Sequence, residues 1–193
     1  MSIQKARILA FAGSTRLNSY NKKLAAAAAK GAEAAGAEVT LIDLRDYPLP
    51  LFDQDLEAAE GLPENARTLR ELFLSHNALL IANPEYNGSL SGVMKNTIDW
   101  ISRRQGDEEP LICFKNKIAL IMSASPGALG GMRALRHLQT VLMGIKVVVL
   151  PEQKSIPNAQ KVFDDQGIAD DAVRADVERL GARLAEMAAL FHA

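Results

Sequence analysis

Three short polar stretches, each placed directly after an apolar run, hold the residues best suited to chemistry. The first is GSTRLNSYN, Gly13 to Asn21. Its Ser14, Thr15 and Ser19 offer hydroxyl donors, Asn21 offers an amide, and Arg16 carries a planar fork that matches phosphate oxygens. The alanine-rich segment that follows, Asn21 to Ala35, is a strong helix former, because alanine loses no side-chain entropy in a helix. A helix start presents free N–H groups and a partial positive charge, so it attracts anions. Hydroxyls, a guanidinium and a helix start together describe a cradle for a single phosphate. A Walker A loop would place Gly-Lys where this chain has Asn18-Ser19, and the dinucleotide fingerprint fails because Thr15 stands where its second glycine belongs. The loop therefore argues against a magnesium triphosphate and against a Rossmann-bound pyrophosphate. Helix capping alone would account for Ser19. It would not ask for Arg16 and further hydroxyls beside it.

The second stretch is NPEYNGS, Asn83 to Ser89. Pro84 stiffens it and biases Asn83 towards extended geometry, while Asn87-Gly88 is a turn pair that tolerates positive φ. Such a turn can aim backbone N–H groups at a flat heteroaromatic edge, with Tyr86 packed near the ring. A surface turn that merely opens the next helix explains the same residues, and the stretch alone leaves both readings standing. The third stretch, SASPGALGG, runs from Ser123 to Gly131.

The elements that position these loops alternate between apolar strands and longer helical patterns. Strands are expected at Arg7–Ala12, Glu38–Leu44, Ala78–Ala82, Lys117–Met122 and Lys146–Leu150. Helices are expected at Asn21–Ala35, Glu64–Ser75, Val93–Arg104, Gly130–Met143 and Asp170–Phe191, with Asp46–Pro63 a loop. Strands this apolar are buried on both faces. Their alternation with helices implies right-handed crossovers and a parallel sheet. The expected fold is thus α/β, a doubly wound five-stranded parallel sheet of order 2-1-3-4-5 with helices on both faces, formed by residues 1–193 as one domain. Ligands bind such sheets beyond the carboxyl ends of the strands, where the winding reverses. The loops after strands one, three and four are the three stretches above, so they should converge on one place.

Two motifs then become familiar together. Gly13, Ser14, Arg16, Ser19 and Asn21, with Pro84–Ser89 followed by Lys95, Asn96, Ile98, Asp99 and Trp100, resemble the NADPH-dependent FMN reductase family. That flavodoxin-like family includes quinone and chromate reductases and some azoreductases, and the resemblance spans at least Ile8 to Leu150. It implies noncovalent FMN, its phosphate on Ser14, Arg16, Ser19, Tyr20 and Asn21, and its ring along Pro84, Glu85, Tyr86 and Asn87. The third loop, from Ser123, would approach the other side of the ring. It further implies NADPH or NADH as co-substrate, a small-molecule electron acceptor, and a homodimer or homotetramer with the site near a subunit contact. A single open ring face would serve both substrates in turn, which predicts ping-pong kinetics. No side chain is needed as acid or base.

Composition narrows the alternatives. The 193 residues carry a formal net charge of -1, which supplies no field for nucleic acid or an anionic membrane face. Apolar runs are too short to span a membrane. One cysteine, Cys113, cannot form an internal disulfide, so a reducing, cytoplasmic setting is expected. His76, His137 and His192 have no metal-ligand spacing and read as surface or edge residues. Trp100 reads as core, Arg103 and Arg104 as solvated, and Asp107-Glu108-Glu109 as a charged loop. Two rivals remain. An electron carrier of flavodoxin type would be strongly acidic, unlike this chain. A flavin-free scaffold would have no reason to keep Arg16 together with the Pro84–Ser89 turn.

Overall fold

Arg7–Ala12 (β1), Ala78–Ala82 (β3) and Ile118–Ala124 (β4) form the centre of the computed structural model, which describes residues 5–192. Successive residues of each strand face opposite ways, and both directions are buried. Ile8, Ala10, Leu80 and Leu120 enter one core, while Leu9, Phe11, Leu79 and Ile121 enter the other. Glu38–Asp43 (β2) pairs with β1, and Val148–Val149 (β5) pairs with β4. The parallel order is β2-β1-β3-β4-β5, the flavodoxin-like order expected from the loops.

Tyr20–Ala34 (α1) and Asp171–Phe191 (α7) cover one face. Glu64–Ser75 (α3), Gly92–Ile101 (α4) and Met132–Gly144 (α5) cover the other. Small residues let α1 and α7 touch main chain to main chain. A Cβ on Gly31 would stand 1.9 Å from the Glu178 carbonyl oxygen, and one on Gly181 would stand 1.8 Å from that of Ala28.

Several expectations need correction. The stretch Asp46–Pro63 is not all loop, because Gln54–Glu60 forms a short helix (α2) whose Asp53 side chain accepts from the Asp55 and Leu56 N–H groups. The fifth strand is cut to Val148–Val149, since Lys146 adopts a positive φ of 72°. A sixth strand, Lys154–Ile156 (β6), takes over the edge of β4 beside Met122 to Ala124, and a helical turn, Ala159–Val162 (α6), follows. β2 is an edge strand, half exposed rather than buried. His76 is buried, with Nε2 2.8 Å from Thr40 Oγ1. Cys113, expected to be partly buried, is fully so, whereas Trp100 is buried in the core as expected.

Two charges read as solvent-facing are structural. Arg103 pairs with Glu57 at 2.8 Å and lies over the Phe52 ring, and Glu108 pairs with the buried Arg70. The motif residues on α4 also acquire a task. Asn96 accepts from Phe52 N and donates to Pro50 O, both at 2.8 Å, and Trp100 Nε1 donates to the same oxygen at 2.8 Å. They hold the proline-rich loop after β2 against the helix. Among the described residues, no helix is long and apolar enough to cross a membrane.

Candidate functional site

Leaving the sheet at Ala12, the chain turns at Gly13, whose N–H donates to Ala82 O at 2.9 Å. Ser14 and Ser19 are buried and Arg16 is exposed. Ser19 occupies the cap position of α1 in extended geometry, yet its side chain makes no cap bond, and the first turn carries no acidic residue. Helix starts leave their first N–H groups without internal partners. Here those groups, the Ser19 hydroxyl and the positive end of the helix dipole are left for an anion. The Arg16 guanidinium makes no ion pair or hydrogen bond among the described residues, while its backbone N–H donates to Ser14 Oγ at 3.4 Å. An uncapped helix start, buried hydroxyls and an unpaired guanidinium fit a phosphate.

Asn21, in the same cleft, also does structural work. Its Nδ2 donates to Ala124 O at 2.9 Å, and its Oδ1 accepts from Ala124 N at 3.0 Å. One donor and the acceptor of the amide satisfy the backbone at the end of β4, so the side chain is also a clasp between α1 and the third loop.

The second loop folds into a tight hairpin. Tyr86 N donates to Ser89 O at 3.0 Å and Ser89 N to Tyr86 O at 3.1 Å. Asn87 and Gly88 have φ of 51° and 80°. Positive φ at both central positions is the type I′ turn for which Asn-Gly is the favoured pair. Tyr86 is left 49% exposed at its tip. Glu85 turns away from the loop towards α5, where Arg133 and the first N–H groups of the helix bind its carboxylate. Burial pushes that carboxyl up, but the hydrogen bonds of Arg133 and Ala134 and the Arg133 charge outweigh it and hold the pKa below the ordinary 4.5.

Ser91 escaped the sequence reading, and so did Asn83 as a side chain. Ser91 Oγ donates to Gly13 O at 2.7 Å, stands 3.1 Å from Asn83 Oδ1 and accepts from Met94 N at 3.2 Å. It caps α4 and locks the first loop to the second. Its place just before a helical run was the available signal.

Eight of the expected residues line one cleft: Ser14, Arg16, Ser19, Tyr20, Asn21, Pro84, Glu85 and Tyr86, joined by Ala124, Ser125 and Pro126. Asn87 and Ser123 do not line it. Ser123 is wholly buried with an unpartnered Oγ, and a Cβ on Gly131 would stand 1.8 Å from that oxygen. The reason is register. β4 runs on to Ala124, so Ser123 lies within the strand and the wall begins one residue later. The cleft is small, about 80 Å³. A larger depression of about 450 Å³ lies across the first loop, between Thr15, Tyr47, Pro48 and Val93.

Comparison with known proteins gives a consistent result. Residues 6–161 match a family described as NADPH-dependent FMN reductase. An NAD(P)H-dependent FMN reductase of Pseudomonas aeruginosa is 39% identical over 170 residues, 87% of this chain and 87% of the relative. A quinone reductase of Escherichia coli is 33% identical over 176 residues, 86% of this chain and 89% of the relative. The solved structure of FerB, a flavoenzyme NAD(P)H:(acceptor) oxidoreductase from Paracoccus denitrificans, aligns with a TM-score of 0.78 at 27% identity, covering 97% of this chain and 98% of that one. The fold, the cleft and these likenesses agree, and the chain belongs to the NADPH-dependent FMN reductase family, enzymes that use FMN and NAD(P)H.

Proposed function

We propose that the chain is an FMN-dependent NAD(P)H oxidoreductase that passes electrons by a ping-pong mechanism to quinones or similar small acceptors. The observation that supports this best is the meeting of the uncapped α1 start, the unpaired Arg16 and the Pro84–Tyr86 turn in one cleft. Ser14, Arg16 and Ser19 bind the FMN phosphate, beside Tyr20, whose ring packs on Phe163 with centroids 5.4 Å apart. Pro84, Tyr86 and the backbone of Glu85, opposite Ala124 to Pro126, would hold the ring, with the backbone of Asn87 just beyond the cleft. In that cleft the phosphate would be held at Ser14, Arg16 and Ser19, and the ring at Pro84 and Tyr86. Bound FMN supplies the two-electron chemistry, taking hydride from NAD(P)H and passing electrons on. A single exposed ring face would require the nicotinamide to leave before the acceptor enters. The chain itself binds and orients the coenzyme. Among the described residues, no His, Cys or Lys lines the cleft, and its one carboxylate, Glu85, is bound by Arg133.

Chromate, ferric complexes and azo compounds are further acceptors worth assaying. We also propose one domain over residues 1–193, a homodimer or homotetramer, and a cytoplasmic setting, which suits a fully buried, unpaired Cys113. The deciding experiment is an anaerobic titration of the purified yellow protein with NADPH and NADH, followed by steady-state rates against a quinone. Prompt bleaching and parallel double-reciprocal lines are expected. Intersecting lines refute ping-pong, and bleaching that is slow or absent favours an electron carrier.

A further inference from the structure

Glu85 stands in the cleft, but its side chain points out of it. The carboxylate accepts from Arg133 Nε at 2.7 Å and from Nη2 of the same guanidinium. It also accepts from the backbone N–H groups of Arg133 at 3.1 Å and Ala134 at 3.4 Å. α5 begins after Gly131 and has no side-chain cap of its own, so a carboxylate from the second loop caps it. The guanidinium lies under the turn, since Arg133 Nε and Cζ are the atoms nearest to where a Gly88 Cβ would stand, each at 4.0 Å. His137, one helical turn further on, has Nδ1 3.0 Å from Ser89 Oγ. α5 therefore grips the hairpin on both sides of Asn87-Gly88.

The contact also balances charge. The Glu85 side chain is 8% exposed and that of Arg133 is 59% exposed, so the acid is held inside and neutralised from outside. Flavin gains negative charge on reduction, and a bare carboxylate beside it would oppose that gain.

We propose that Glu85 is a positioning residue rather than a flavin ligand. With Arg133 it forms a charge-compensated staple that fixes the Tyr86–Ser89 turn on helix α5 and prevents an unpaired carboxylate from depressing the flavin potential. The charge half of this inference rests on the flavin placement proposed above, and the mechanical half does not.

The mechanical half is tested on the coenzyme-free protein by amide hydrogen exchange. Arg133→Ala and Glu85→Gln should each speed exchange at Tyr86 and Ser89 about tenfold, with β1 and β3 amides as protected as in wild type. Arg133→Lys keeps the charge without the fork and should fall between. Wild-type exchange at the turn in both Arg133→Ala and Glu85→Gln overturns the staple. The charge half is read from the reduction potential of the FMN-loaded protein. Arg133→Ala should make it more negative, Glu85→Gln less negative, and Arg133→Lys should restore it. Shifts of the same sign in Arg133→Ala and Glu85→Gln overturn charge compensation. A wild-type protein that retains no FMN overturns the flavin placement and the charge half with it, while exchange still decides the staple.

Discussion

Arg16 and Asn21 belong to one loop and do opposite work. The Arg16 guanidinium makes no ion pair or hydrogen bond among the described residues, whereas both ends of the Asn21 amide serve Ala124. Arg16→Ala should therefore weaken FMN binding roughly ten- to hundredfold, the loss of charge-assisted bonds worth about 1.5–3 kcal/mol, with an unchanged thermal midpoint. Asn21→Ala should do the reverse. It strands a buried N–H and C=O, which costs about 1–3 kcal/mol and shows in urea unfolding. Fluorescence titration of FMN and a denaturation curve, run on both variants, separate ligand from scaffold. Residue types in the loops were legible in the sequence, but side-chain directions were not. Asn21 and Glu85 line the cleft as expected, yet their side chains are engaged by partners far along the chain, Ala124 and Arg133, while Ser123 is buried within β4. Spacing reports what a loop offers locally. It carries no record of which distant backbone will claim the offer first.

Elements with a strong apolar stripe were legible and weak ones were not. The central strands were identified at their ends within a residue or two, because burial on both faces leaves no polar alternation. α2 was missed because none of its residues is buried, so no stripe exists to read. The division of the fifth strand between β5 and β6 depends on the left-handed backbone at Lys146, which no apolar pattern encodes. The α1–α7 contact gives a prediction at this scale. Gly181→Val must push a side chain into the Ala28 carbonyl, which cannot rotate away. Overpacking of this kind costs about 1–3 kcal/mol, so the thermal midpoint should fall by several degrees. A midpoint equal to that of wild type would show that the two helices can separate freely.

Across the whole molecule, the two ends of the sheet are put to different uses. The carboxyl ends of the strands carry the loops and the cleft. The amino ends hold Lys117, which is buried and donates to His76 O. Desolvation, partly offset by Cys113 and reinforced by Arg7, lowers the Lys117 pKa from 10.5 to about 8. Between those values the unfolded chain binds more protons at this position than the folded one, so its contribution to stability rises with pH. Urea unfolding from pH 8 to 10.5 should show that rise in wild type and lose it in Lys117→Met. Equal slopes would mean that the ammonium is not desolvated. The same sign holds at Glu85 in the acid range: its lowered pKa stabilises the fold above pH 4.5, and that contribution is lost as acid protonates it. The glycine seam described above reaches further than its own stability. Main chain resting on main chain leaves no compliant layer to absorb a displacement, so the last helix acts as a keel for the first. Stepwise trimming from the carboxyl terminus should then loosen the coenzyme before the sheet itself gives way.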